Sequence, residues 1–216
     1  MRKDIIEKTA DFVKTELSKL ADTDEINRRS ADYRYEHSVR VAHIGKTIAS
    51  KEGFDEERMF VACLLHDIGY SVKYESVEEH INHGRIGARI AKEFLKSLDV
   101  YTESEIEQMC YGIAIHVDDK SDFEGERTPF ALTVGDADNI DRFDAYRLYE
   151  NLHFANYANL PIEQQYEFVS SKIRKLEKLL SAECGTKTAS DMWKEKIGYQ
   201  ADFYLKLRSQ IENSKI

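Results

Sequence analysis

The sequence predicts an all-α protein on two observations: two prolines in 216 residues, and apolar residues that recur every three to four positions through most of the chain. Proline removes a backbone donor and clashes with the preceding turn, so its scarcity lets helices run long among abundant Ala, Leu, Glu, Lys and Arg. The length suits one principal domain over 1–216. Its chemistry-bearing core is expected at about 33–150 and a C-terminal helical hairpin at about 161–212.

The spacing divides the chain into roughly eight helical stretches. The first runs from Asp4 to about Leu20 and is followed by the polar segment ADTDEINRRSADY. The second, Arg34 to Glu52, places His37, Val41, Ile44 and Ile48 on one face and stops at Gly53. Asp55 can cap a third through FVACLLHDIG, apolar enough to cross the middle of the core. After the loop SVKYESVEE a fourth begins near His83 and carries IGARIAKEFLKSL. Thr102 or Ser104 opens the fifth, IEQMCYGIAIHV, which ends in an acidic loop. Pro129 suits a helix start, so PFALTVGDADNIDRFDAYRLYENL reads as a sixth with Gly135 as its candidate interruption. Beyond Pro161, two amphipathic stretches separated by Gly185 form a hairpin packed on the core or on a second subunit. Tyr166, Tyr199 and Tyr204 occupy apolar positions there and fit packing or a homodimer seam.

Composition narrows the classes of function. Hydrophobic residues make up 42% and charged residues 33%, a globular balance, with a net charge of −9 and a pI near 5.4. A nucleic-acid polymer needs a basic footprint, so none is expected as partner; a small anion in a locally basic pocket is not excluded by net charge. Cys63, Cys110 and Cys184 form neither a disulfide framework nor a CxxC thiolate site, which fits a reducing cytoplasm. The N-terminal stretch alternates apolar and charged residues rather than forming a signal peptide, and no segment is long enough to span a membrane.

Chemistry concentrates around His66-Asp67, at the end of the most apolar helix. Burying an imidazole beside a carboxylate is costly unless something pairs them. Alone, the dipeptide fits an ordinary capped helix end better than a metal site. The other helices shift that balance: His37 lies on the apolar face of the second, His116 follows YGIAI at the end of the fifth, and Asp138 lies within GDADNID on the sixth. Imidazole nitrogen mixed with carboxylate oxygen suits Mn, Fe, Co, Ni, Zn or Mg ions. Asp136 and Asp138 point about 200° apart on a helix, so one of them can face a metal. Asp138, which precedes Asp141 and Arg142 at the three- and four-residue spacings that share its face, is preferred, and Asp136 is read as a helix-terminal cap, or as a ligand if the helix breaks at Gly135.

The order His37, His66-Asp67, Asp138, within EHSVRVAHIGKTIA, CLLHDIGY and ADNID, resembles the HD-domain superfamily of metal-dependent phosphohydrolases. The resemblance implies an HD-type helical bundle with a primary metal site of His37, His66, Asp67 and Asp138. HGRIGARIA resembles the HPEIGA-type segment of binuclear members, which implies a second divalent ion on His83 and His116 bridged by Asp67. His80 could share a face with His83.

The implied activity is hydrolysis of a small phosphate ester, a nucleotide or related metabolite, by a metal-activated water. Alternatives are a di-iron oxygenase of the same fold and a non-catalytic nucleotide-binding protein. Beside Asp67, Arg40, Lys120 and Arg142 are candidate phosphate contacts, each equally readable as a solvated surface charge. The glutamate that some nucleotidases carry after the HD pair has no counterpart, Glu75 being displaced, and the Gly-Tyr-Pro extension of cyclic di-nucleotide phosphodiesterases is lacking. His43 and His153 read as packed or surface histidines.

Overall fold

A computed structural model describes residues 1–19 and 30–214. The polar segment expected after the first helix falls largely on 20–29 and lies outside the described residues. Those residues form α-helices and short 3-10 turns with no strand among them, the all-α class that composition and spacing predict. The chain divides into two compact units, Met1–Asp138 and Asn139–Ile216. None of the described helices is long and apolar enough to cross a membrane.

The N-terminal unit contains α1 (Lys3–Leu17), α2 (Ala31–Glu52), α3 (Glu56–Leu65), a 3-10 turn (Ile68–Ser71), α4 (Val77–His80), α5 (His83–Ser97), α6 (Glu103–Ile115) and most of α7 (Pro129–Arg142). Side-chain oxygens set the helix starts by accepting otherwise orphaned backbone donors. Ser30 Oγ accepts from Tyr33 N at 3.1 Å and Asp55 Oδ1 from Arg58 N at 2.8 Å. Thr102 and Glu105 form a reciprocal capping box at the start of α6. Every residue from Met59 to Leu65 is buried, so α3 runs through the core as its apolar sequence requires.

Close backbone approach holds the 3-10 turn against α5. A Cβ on Gly69 would collide with the His83 carbonyl oxygen, a backbone atom that cannot swing aside. Gly69→Ala is therefore expected to destabilise the protein by about 1–3 kcal/mol through overpacking and to lower its metal occupancy. Urea unfolding and metal analysis of the variant check both; unchanged values would show that the contact yields without cost.

The expected interruption at Gly135 does not occur. Gly135 instead lets α7 lie against α6, since a Cβ there would sit 3.3 Å from His116 Cα and from its carbonyl oxygen. The sixth predicted stretch breaks later: α8 (Ala145–Phe154) starts after Asp144, whose Oδ1 accepts from Ala145 N at 2.6 Å. Asp136 is consequently interior to a continuous helix rather than a terminal cap.

The C-terminal unit comprises the end of α7, α8, a 3-10 turn (Tyr157–Asn159), α9 (Ile162–Leu179) and α10 (Lys187–Glu212). Helices α9 and α10 pack together, tied by Trp193 Nε1 donating to Leu179 O at 2.9 Å. Lys196 Nζ lies 2.9 Å from Asp144 Oδ2, and Gln200 Nε2 donates to Asp144 O at 3.2 Å, which fastens α10 to the start of α8. Of the three tyrosines read at apolar positions, Tyr204 is fully buried, Tyr166 is half-buried and Tyr199 is 51% exposed.

Candidate metal centre

Five elements of the N-terminal unit converge on Asp67. Its Oδ1 faces His66 Nε2 at 3.5 Å, His83 Nε2 at 3.4 Å and His116 Nε2 at 3.7 Å. Its Oδ2 faces His37 Nε2 at 3.7 Å and Arg34 NH1 at 3.0 Å. Asp138 Oδ1 completes the cluster, 3.0 Å from His37 Nε2 and 3.8 Å from His66 Nε2. His37 comes from α2, His66 caps α3, Asp67 precedes the 3-10 turn, His83 opens α5, His116 caps α6 and Asp138 lies on α7. All six side chains are at most 9% exposed.

The backbone fixes the protonation of three of these imidazoles. His66 Nδ1 lies 2.7 Å from Cys63 O, His83 Nδ1 2.7 Å from His80 O, and His116 Nδ1 2.7 Å from Ile113 O. A carbonyl oxygen can only accept, so each Nδ1 donates. A neutral ring then presents a bare lone pair at Nε2. Those lone pairs aim at a carboxylate, which is also an acceptor, and His66 Nε2 and His116 Nε2 are buried without a hydrogen-bond partner. Acceptors turned on one another in a dry pocket repel unless a cation stands between them.

The spacing agrees with that reading. Donor atoms sharing one ion at ~2.1 Å lie roughly 3.0–3.4 Å apart in octahedral or tetrahedral arrangements. Two sets have atoms all within 4.8 Å of one another, His37 with His66 and Asp138, and His66 with Asp67 and His116. The residues present thus fit a divalent ion, and Asp67 stands where it could bridge two.

Burial drives the His66 imidazole down to about 4, so it is neutral near pH 7 and available as a ligand. For Asp67, burial favours the neutral acid. The field of His66, the approach of His116 and His83, and the charge of Arg34 outweigh it, holding the carboxyl well below its usual range. At His116 burial again opposes the charge, but the nearby carboxylate of Asp67, with Asp138 behind it, raises its pKa. A raised pKa means that a proton competes with an ion for His116 as pH falls. Metal uptake is expected to release protons and to weaken as pH falls, because ligand nitrogens must be bare. Calorimetric titration in buffers of different ionisation enthalpy measures the release; buffer-independent heats would refute it.

The predicted cations fare differently. Arg40 is half-buried on α2. Lys120 does not join the cluster: its side chain is 76% exposed, with Nζ 3.8 Å from Asp118 Oδ2 on the acidic loop. Arg142 is exposed and lines a pocket of the C-terminal unit. A cation that reaches the cluster, and that the sequence reading passed over, is Arg34. It pairs with Asp67 and lies 3.4 Å over the ring of Tyr70, which stacks on His83 at 4.2 Å. Its position one turn before His37, on the same helical face, was the available signal.

The acidic loop after His116 is tied to α5: Arg85 NH1 donates to Asp118 Oδ1 at 2.7 Å, and Arg89 pairs with Asp122. His80 packs against Tyr70 and Tyr74, His43 lies edge-on to Phe60, and His153 stacks on Tyr149.

Residues 34–145 match the HD domain family, a span of just over half the chain that takes in all six residues of the cluster. The chain belongs to the HD-domain family. It thereby joins a family of metal-dependent phosphohydrolases. An uncharacterized protein of Clostridium beijerinckii is 34% identical to this HD protein over 121 residues, which are 55% of this chain and 70% of that one. Ribonuclease Y of Mycoplasma capricolum is 36% identical over 104 residues, 48% of this chain and 17% of the ribonuclease, so the match spans about a sixth of that relative. A crystal structure described as a predicted HD superfamily hydrolase, from an uncultured Thermotogales bacterium, has the same fold. Its TM-score is 0.59 at 18% identity, over 92% of this chain and 90% of the other.

Proposed function

We propose that this HD protein hydrolyses a small phosphate ester, a nucleotide or related metabolite, with water as the nucleophile. The observation that supports it most is the convergence of Nε2 lone pairs from three backbone-locked histidines on the Asp67 carboxylate. In this reading His37, His66, Asp67 and Asp138 would hold one divalent ion, and His83 and His116, with Asp67, would hold a second. Such ions polarise a phosphoryl oxygen and lower the pKa of a water.

The chain's own residues do the rest. The carbonyls of Cys63, His80 and Ile113 hold three imidazoles in the tautomer that ligates, so no ring has to reorient when an ion arrives. Arg34 keeps Asp67 ionised and turned into the cluster, and its guanidinium, flat on Tyr70, supplies fixed positive charge beside the site. Burial of the ligands strips water from them, which strengthens each electrostatic contact.

The ribonuclease Y relatives carry a name that specifies RNA, whereas the net charge of −9 in this chain speaks for a compact phosphate over a polymer. The test is a phosphate-release screen over nucleotides, sugar phosphates and phosphodiesters, using protein reconstituted separately with Mn, Co, Ni, Zn, Mg and Fe. Release from at least one small ester that depends on added metal is expected. Stoichiometric iron with oxygen uptake and no phosphate release would establish oxygenase chemistry in its place.

A further inference from the structure

The C-terminal unit carries a half-open pocket of about 130 Å³, on the order of four water volumes. Four cationic side chains share its wall: Arg142 at the end of α7, Arg147 on α8, and Lys172 and Lys175 one turn apart on α9. The cluster is not part of a generally basic surface. The chain is acidic, at −9; the acidic excess lies in residues 1–138, and 139–216 are close to neutral.

Gathering like charges around one partly desolvated space costs free energy. Lys172 records that cost, since burial first, then Lys175 and Arg147, hold its ammonium below the ordinary value. Internal neutralisation is incomplete. Glu150 lies 3.4 Å from Arg147, but among the described residues no carboxylate pairs with Lys172 or Lys175. Those two lie instead near the rings of Phe168 and Phe143, at 5.1 and 5.9 Å. Uncharged donors line the same space. The Tyr204 hydroxyl is buried and makes no hydrogen bond of ordinary geometry, and Asn151 adds an amide. A compact, multiply charged oxyanion would answer all three features at once: charge for the cations, acceptors for the arginine forks, and an acceptor for the buried hydroxyl.

We infer that this pocket is a binding site for a phosphate-bearing small molecule, held by Arg142, Arg147, Lys172 and Lys175 without a metal ion. It rests on the C-terminal unit alone, so it stands or falls independently of the HD centre.

The test uses the full chain, stripped of metal by a chelator, titrated calorimetrically with inorganic pyrophosphate at constant ionic strength. Wild type and Asp67→Ala are expected to bind alike. Lys172→Gln/Lys175→Gln should bind at least about tenfold more weakly, with an unliganded melting temperature that is unchanged or higher. Should the double variant fail to fold, Lys175→Gln alters an exposed side chain and should weaken binding several-fold. A parallel titration with ADP separates the two sources of phosphate, tighter binding than pyrophosphate marking a phosphorylated metabolite and weaker binding a free phosphate chain; either order supports the site. Absence of pyrophosphate binding by wild type up to millimolar concentration, equal affinity in the lysine variants, or loss confined to Asp67→Ala would overturn it.

Discussion

Replacing Asp67 with alanine should abolish activity, by about 10³-fold or more, and strip the protein of most of its metal. The carboxylate faces four histidines, three through Oδ1 and His37 through Oδ2. Removing it breaks the set formed with His66 and His116 outright. It also leaves the Arg34 charge beside a pocket with less anion to hold a cation. Several kcal/mol of transition-state stabilisation attributed to a metal correspond to a loss of this size. Metal analysis alongside kcat/KM decides the matter: unchanged metal content and activity would show that the cluster is not the catalytic centre. Asp67→Asn, which keeps the shape and removes the charge, should resemble the alanine variant in activity while its far-ultraviolet circular dichroism stays that of the wild type.

His116→Ala should act more selectively. It removes a nitrogen 3.7 Å from Asp67 Oδ1 but leaves His37, His66 and Asp138, which form a candidate site without it. The expected result is a fall from two bound ions to one, with kcat reduced about 100-fold and the remaining ion retained through dialysis. Quantitative metal analysis reads this directly. One ion per chain in both wild type and variant would reduce the centre to a mononuclear one.

Much of this arrangement was legible in the sequence because it depends on periodicity and punctuation. His37 could be placed on the buried face of α2 from its spacing to Val41 and Ile48; the angle between residues two apart showed that Asp136 and Asp138 cannot both face the metal, and the Ala137-Asp138 pattern of the family chose Asp138. The sequence could not show what lies across space. Gly135 reads as a helix breaker when taken alone, and only the proximity of His116 shows why a glycine is tolerated inside α7. The short helix α4 and the 3-10 turn at Ile68–Ser71 hold too few residues for a period to emerge. Arg34 and Arg40 flank His37 symmetrically by about one turn, so spacing could not choose between them; Asp67 and Tyr70, remote in sequence, bring Arg34 into contact.

The carbonyls that lock His66, His83 and His116 have a consequence for how this centre can be altered. Two of those rings close the ends of α3 and α6, where helix geometry leaves carbonyl oxygens in need of a donor. One hydrogen bond therefore both finishes a helix and selects a tautomer. The outer sphere of the centre is written in peptide groups, and an alanine scan of neighbouring side chains would pass over it without a signal. Only changes that move the main chain, such as a proline in the last turn of α3 or α6, can detune it. Drift in the surrounding side chains can reshape the approach to the centre while leaving the basicity of these ligands where the helix ends have set it.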